Sequence, residues 1–251
     1  MKKTLLLLLF VGLAALGACS DDDDNNTNPS GSKIYPTTAG SYWIYNSYAT
    51  DSNNVEVFTG EVDSTVCLGT ETYLGKSATA LMHYYFEDGE QTSTEKSYFY
   101  EENSKIYLSS GELASNSPIG DDNSLISPRW MKMYDANESD WIIFDTTFTN
   151  LDFSEGVDFT GSMTISGKKS SDASLQVNGK SVTAKHAIIK VQFSGNVSLM
   201  GQTIPVAFTQ TNHAYVSTGI GLVAMVTDPT TLPLMGTSPG TATRLIRYLI
   251  K

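Results

Sequence analysis

Between Ile189 and Phe208 the chain alternates apolar and polar side chains. Ile189, Val191 and Phe193 are interleaved with Lys190, Gln192 and Ser194; Val197 and Leu199 continue, and Ile204, Val206 and Phe208 return after Gly201-Gln202. A period of two sends successive side chains to opposite faces of a strand, so such a run specifies paired strands with one face buried and one wet. It is incompatible with a helix bundle. The neighbouring SLQVNGKSVTA, residues 174–184, reads as a hairpin. Asn178-Gly179 tolerates the positive φ angles of a type I′ turn, which sets Val177 opposite Lys180 and Leu175 opposite Val182.

The same pattern recurs upstream. Tyr42 to Tyr48, Val55 to Val62, Ala78 to Phe86, Ser97 to Tyr100, Lys105 to Leu108 and Trp141 to Phe148 are rich in aromatic and β-branched residues. Asp88-Gly89 and Asn103-Ser104 mark turns, and Thr243 to Ile250 alternates as a closing strand would. The best helix signal is Ser127-Pro128 ahead of RWMKMYDA, an N-cap followed by proline at the first helical position. It predicts one short helix. No linker composition divides residues 34–251, so one antiparallel β domain is expected there.

The first residues are different. Lys2 and Lys3 precede a charge-free apolar run, Leu5 to Leu16, which suits a signal-peptide core and is too short to span a bilayer, for which about 20 apolar residues are needed. Leu16-Gly17-Ala18-Cys19 resembles the lipobox of bacterial lipoproteins. The resemblance implies cleavage before Cys19, a diacylglyceryl group on its thiol and an acyl group on the new amine. Ser20 followed by Asp21, Asp22, Asp23 and Asp24 resembles the surface-export signal of Bacteroidetes-type lipoproteins. That implies lipid anchoring in the outer membrane facing the medium, with a periplasm-facing position as the alternative. The expected organisation is therefore a signal peptide over 1–18, a lipidated Cys with an acidic, flexible tether over 19–33, and the β domain over 34–251. The formal charge of −11, which becomes more negative once Lys2 and Lys3 are removed, disfavours nucleic acid as a partner and leaves membrane attachment to the acyl chains.

A second resemblance sits at the two ends of the domain. Gly40-Ser41-Tyr42-Trp43-Ile44-Tyr45 is similar to the opening strand of many small bacterial lipoproteins. YVSTGIGLVAMV, Tyr215 to Val226, is similar to their late strand, with Gly219 and Gly221 read as a kink. In the lipoprotein-carrier group such strands build an open half-barrel around a lipid-sized apolar cavity. A Gly-x-Trp strand also opens lipocalins, but Gly40-x-x-Trp43 is one residue too long. The expected fold is thus mainly β: a single antiparallel, strongly curved sheet forming an open half-barrel, with at most one or two short helices. A β-sandwich or lipocalin-like barrel is the alternative.

Chemistry is sparse. Of two cysteines, Cys19 is taken up by lipidation and Cys67 reads as a small buried hydrophobe. His83, His186 and His213 are scattered, and the first two fall in strands where a hydrogen-bonded structural role is expected. No zincin, nucleophile-elbow or P-loop motif occurs. Ser-x-x-Lys occurs three times, at Ser30–Lys33, Ser93–Lys96 and Ser166–Lys169, and carries no information at that frequency. Asp135-x-Asn137-x-Ser139 has the first oxygen positions of a calcium loop, yet Asp140 replaces the glycine and Thr146 the final acid. Asp121-Asp122-Asn123 is another oxygen-rich loop. No metal or cofactor beyond the Cys19 lipid is expected. Asp63-Ser64-Thr65 and Asp145-Thr146-Thr147 resemble the short O-glycosylation sequon of Bacteroidetes-type bacteria, which would place glycans on Ser64 and Thr146.

Aromatics are the largest feature left over. In MHYYF (82–86) and SYFY (97–100) successive rings must line both faces of the sheet. One set belongs to the core; the other offers a stacking surface. The expected function is a non-enzymatic binding domain on a surface lipoprotein, taking a small apolar or lipid-like ligand in the concave sheet. The alternative is a subunit that docks on a protein or glycan through exposed aromatics. A dispersed-site hydrolase would require paired acids or a His–acid contact in a cleft.

Overall fold

The computed structural model describes residues 33–50, 55–110, 129–154, 157–199, 202–232 and 236–251. Residue pairs able to adopt positive φ set its hairpins. Asp88-Gly89 (φ 51° and 88°), Asn103-Ser104 (53° and 60°) and Asn178-Gly179 (49° and 71°) each close a two-residue turn. Leu74-Gly75 closes another, at 44° and 74°. Leu74 lacks the local hydrogen bond that makes Asn or Asp a turn former, so sequence alone does not mark it.

The strands between these turns are β1 (Tyr42–Thr50), β2 (Glu56–Tyr73), β3 (Lys76–Glu87), β4 (Glu90–Glu102), β5 (Lys105–Ser109), β6 (Trp130–Asp135), β7 (Asp140–Ser154) and β8 (Val157–Lys169). They continue with β9 (Ala173–Val177), β10 (Lys180–Leu199), β11 (Gln202–Ser217), β12 (Gly221–Thr227), β13 (Thr230–Leu232), β14 (Gly236–Ser238) and β15 (Gly240–Leu249). Thirteen strands form one antiparallel sheet ordered β6-β5-β4-β3-β2-β1-β15-β12-β11-β10-β8-β7, with β9 paired to β10; β13 and β14 form a separate hairpin. The curved sheet nearly closes into a barrel, leaving one seam between β6 and β7. Side chains stitch that seam. The Trp141 indole donates to the Lys132 carbonyl at 3.0 Å, and the Arg129 guanidinium lies 5.3 Å from the Phe144 ring centre.

The 174–184 hairpin has the register expected, Lys180 against Val177 and Val182 against Leu175. Two expectations are corrected. Residues 130–135, where Ser127-Pro128 predicts a helix, form β6. A bulge opposite Ile106/Tyr107 sets Met131 against Leu108 and Tyr134 against Ile106. Two core-directed residues three apart mimic helical spacing, and pairing with β5 overrides the local signal. Second, 215–226 is no single kinked strand. Gly219 (φ 78°) and Gly221 (φ 95°) bracket a tight turn that folds β12 back on β11. Among the described residues there is no helix.

Trp43, Tyr45, Leu81, Phe99, Ile106, Leu222 and Leu245 form the heart of the core, and Ile165, Ile189 and Val191 extend it along the long strands. Cys67 is free and buried, the apolar role its surroundings predict. The turns β2–β3, β4–β5 and β11–β12 lie at one end of the barrel, here called the lower end, together with residue 33. The β3–β4 turn, the end of β1 and the start of β11 lie at the other.

Candidate functional site

The interior is layered. Its lower part is an apolar cavity of about 80 Å³ bounded by Leu81, Phe99, Ile106, Ile189, Leu222 and Tyr35, among others. Tyr35 comes from the segment that precedes β1. Lys33 accepts a hydrogen bond from the Gly219 amide (3.0 Å), the Ile34 amide donates to Glu101 Oε2 (2.8 Å), and the Tyr35 ring sits 4.8 Å from that of Phe99. Gly221 makes room for it, since a Cβ there would lie 2.4 Å from Tyr35 Cε1. The start of the domain therefore plugs the lower end. Burial holds the Tyr35 phenol well above its usual range.

Above the cavity the interior turns polar. His83 is completely buried; its Nδ1 is 3.0 Å from Thr65 Oγ1 and its Nε2 is 2.6 Å from Ser97 Oγ. Burial lowers its pKa to about 4, so the ring is neutral. This Ser–His contact has no access for a substrate, because Ser97 is buried as completely as His83. It is the hydrogen-bonded structural histidine expected for this strand. Asp63, on the same inner face of β2, is also buried, and neither carboxylate oxygen has a hydrogen-bond partner. Burial, reinforced by the Glu61 charge, raises its pKa well above the usual carboxylate range.

The outer face of the β2–β6 half carries an ordered aromatic cluster. Tyr73 stacks on Tyr98 (3.9 Å, 7°) and Tyr100 on Tyr107 (4.6 Å, 6°), and Trp130 meets Tyr73 and Tyr100 edge-on at 86° and 88°. Lys76 and Lys96 lie over the rings of Tyr100 and Tyr98, 5.1 and 5.2 Å from their centres, and pair with Glu102 and Glu71. Buried Ala78 and Ala80 point to the same side. These rings thus cover small side chains on an otherwise wet face, and each remains partly exposed. They are the second aromatic set that the two-faced strand pattern requires.

The predicted site residues fare differently. Asp135 ends β6, fully buried, 2.9 Å from Lys105 Nζ and 3.0 Å from Lys132 Nζ, while Asn137 donates its amide to Asp135 Oδ1 at 3.0 Å. Burial pushes its pKa up, but the lysines and the Asn137 amide outweigh that and bring it to about 2. Asn137 turns its side-chain amide to the Asn103 carbonyl. Two ammonium groups thus fill the place a calcium loop would give to the cation. Ser64 is 3% exposed in the middle of β2, with Asp63 and Thr65 equally buried, which leaves no room for a sugar on the folded domain. Thr146 pairs with buried Met163 and faces inward, half-buried. Cys19, Ser20, Asp21 to Asp24, Asp121 and Asp122 lie outside the described residues. Among the described residues no group of three or more His, Cys, Asp or Glu side chains is disposed to hold a metal ion.

One pairing escaped the sequence reading. His186 and His213 meet on the outer face of β10–β11, with Nε2 of the first 3.0 Å from Nδ1 of the second. The alternating runs that mark β10 and β11 carried the signal: their register sets His186 opposite Tyr215, which makes His213 its diagonal neighbour.

No protein-family model matches the chain, and no curated protein matches it. Among solved structures, the chain resembles a candidate lipoprotein from Parabacteroides distasonis, with a TM-score of 0.52 and 12% identity, over 87% of this chain and 99% of that one. It also aligns with a candidate exported protein of YmcC-like fold from Bacteroides fragilis, with a TM-score of 0.46 and 11% identity, over 87% of this chain and 100% of the other. At such identity the first likeness is one of fold alone.

Proposed function

We propose that the chain is a lipid-anchored bacterial surface protein whose barrel is a non-enzymatic binding module, and that it binds a glycan through its outer aromatic face. The Cys19 lipobox and the four aspartates behind it support the anchoring. The Trp130–Tyr73–Tyr100 cluster carries the binding reading. Partly exposed rings can take the C–H faces of a sugar, and the flanking Lys76, Lys96, Glu71 and Glu102 can hydrogen-bond its hydroxyls. The interior offers less. A cavity of about 80 Å³ falls well short of the ~300 Å³ at which small-molecule pockets begin, so a lipid-sized guest does not fit beside Tyr35.

Native affinity gels cast with soluble neutral polysaccharides test the glycan reading. The wild-type protein is expected to be retarded by at least one of them, and Trp130→Ala to lose at least tenfold in affinity while melting within a few degrees of wild type. Equal retardation of the two proteins, or retardation by none of the panel, would overturn it.

A second reading rests on the plug. Removing the Tyr35 ring joins its volume to the apolar cavity and admits a larger apolar guest. Under that reading Tyr35→Ala gains binding of a fluorescent fatty-acid probe that wild type lacks. No gain removes it.

A further inference from the structure

We infer that His186 and His213 form a binding site for a single divalent transition-metal ion of the zinc or copper type on the outer face of β10–β11. The two ring nitrogens that face each other, His186 Nε2 and His213 Nδ1, are 3.0 Å apart. Imidazole nitrogens at about 2.0–2.1 Å from one metal, in neighbouring coordination positions, lie roughly 2.9–3.4 Å from each other. The protein therefore already holds the pair at ligand spacing.

The other nitrogen of each ring decides what lies between them. His213 Nε2 is 3.4 Å from the Asp228 carboxylate. A carboxylate only accepts, so this contact puts the His213 proton on Nε2 and the lone pair on Nδ1. The Ser171 backbone hydrogen-bonds His186 in the sense that favours a protonated ring, which makes the acceptor its carbonyl. With Nε2 turned to His213, the bond falls to Nδ1 of His186. Both outward partners thus aim a lone pair into the same gap. Two lone pairs 3.0 Å apart repel unless a cation stands between them, and that cation is either a proton or a metal ion.

Orientation of a metal-binding histidine by a carboxylate or backbone carbonyl on its far nitrogen is the usual supporting arrangement around a bound metal, and here both histidines have it. Tyr215 adds rigidity, its ring stacked on His186 at 4.5 Å and 13°. The absence of a third protein ligand among the described residues leaves the remaining positions to water or an incoming donor. The ion would be held moderately and remain open to exchange. Cross-strand pairing does the assembly: the diagonal relation of residues 186 and 213 places both side chains on one face without a loop.

The test uses the detergent-solubilised full chain, stripped of metal with EDTA and titrated with zinc chloride by calorimetry at pH 7.5. One ion should bind, and His186→Gln and His213→Gln should each weaken that binding at least tenfold. Asp228→Asn should weaken it by about tenfold through loss of orientation. All three variants should melt with the wild type in metal-free buffer. An unchanged isotherm in the double variant His186→Gln/His213→Gln would assign the binding elsewhere and overturn the proposal, as would no binding by wild type. Copper(II) supplies an arm that needs no variant. The spin-resonance spectrum of the loaded wild-type protein should show coupling to two imidazole nitrogens, and a spectrum of oxygen donors alone counts against the site.

Discussion

Asp63 and Asp135 are both fully enclosed by the same half of the sheet, yet the protein treats them in opposite ways. At the lower corner, Asp135 meets two lysine ammonium groups and a backbone amide, which hold its pKa to about 2. In the upper interior, Asp63 meets neither donor nor cation, and burial raises its pKa. The first is a charge the fold has provided for; the second is a carboxyl the fold keeps neutral. Burial alone therefore says nothing about the charge state of an acid. The partners within hydrogen-bond reach decide it.

The largest test of that contrast is Asp135→Ala. It strips Lys105 and Lys132 of their shared anion and leaves the Asn137 amide open, so chemical denaturation at pH 7 should show a loss of roughly 3 kcal/mol. Titration sharpens the same point. Because Asp135 has a folded pKa below its unfolded value, its contribution is complete above about pH 4 and is lost as the pH falls toward 2. In Asp135→Ala this acid limb of the stability profile should flatten.

His83 acts earlier in an acid titration. Its folded pKa of about 4 lies below the unfolded value near 6.5, so the unfolded chain binds a proton that the folded one refuses. Stability should fall between pH 6.5 and 4, with the loss much smaller in His83→Gln. A wild-type profile that is level across that window would contradict a buried neutral imidazole.

Asp63 carries the opposite sign and a smaller effect. A raised folded pKa costs stability as the pH climbs above the unfolded value near 4. Asp63→Asn should be neutral or stabilising by about 1 kcal/mol at pH 8, with the difference vanishing toward pH 4. A loss of 2 kcal/mol or more would mean that Asp63 has a partner after all. The smallest expected change is Lys105→Met. Lys132 still serves Asp135, so the denaturation midpoint should move only slightly.

How far the sequence led can be judged residue by residue. The Asn178-Gly179 hairpin and its register were legible because the turn chemistry is local. The Leu74-Gly75 turn was not, because only pairing of β2 with β3 forces leucine to a positive φ. The β6 bulge disguised a strand as a helix start, and the Gly219–Gly221 turn disguised a hairpin as a kink. Of the site residues, His83 was legible as structural from its apolar strand. Asp135 drew attention for its oxygen-rich neighbours, when its true partners, Lys105 and Lys132, come from β5 and β6.

By itself the sequence determined the period of two, hence an antiparallel sheet with alternating faces, and the local chemistry of most turns. Those depend on neighbours along the chain. Tertiary structure alone decided which face is inside at each strand, that Tyr35 plugs the lower end, that Asp135 finds its lysines while Asp63 finds nothing, and that two histidines 27 residues apart share one gap. Each follows from the order and curvature of the strands. Period two fixes that side chains alternate, but long-range pairing fixes what each of them meets.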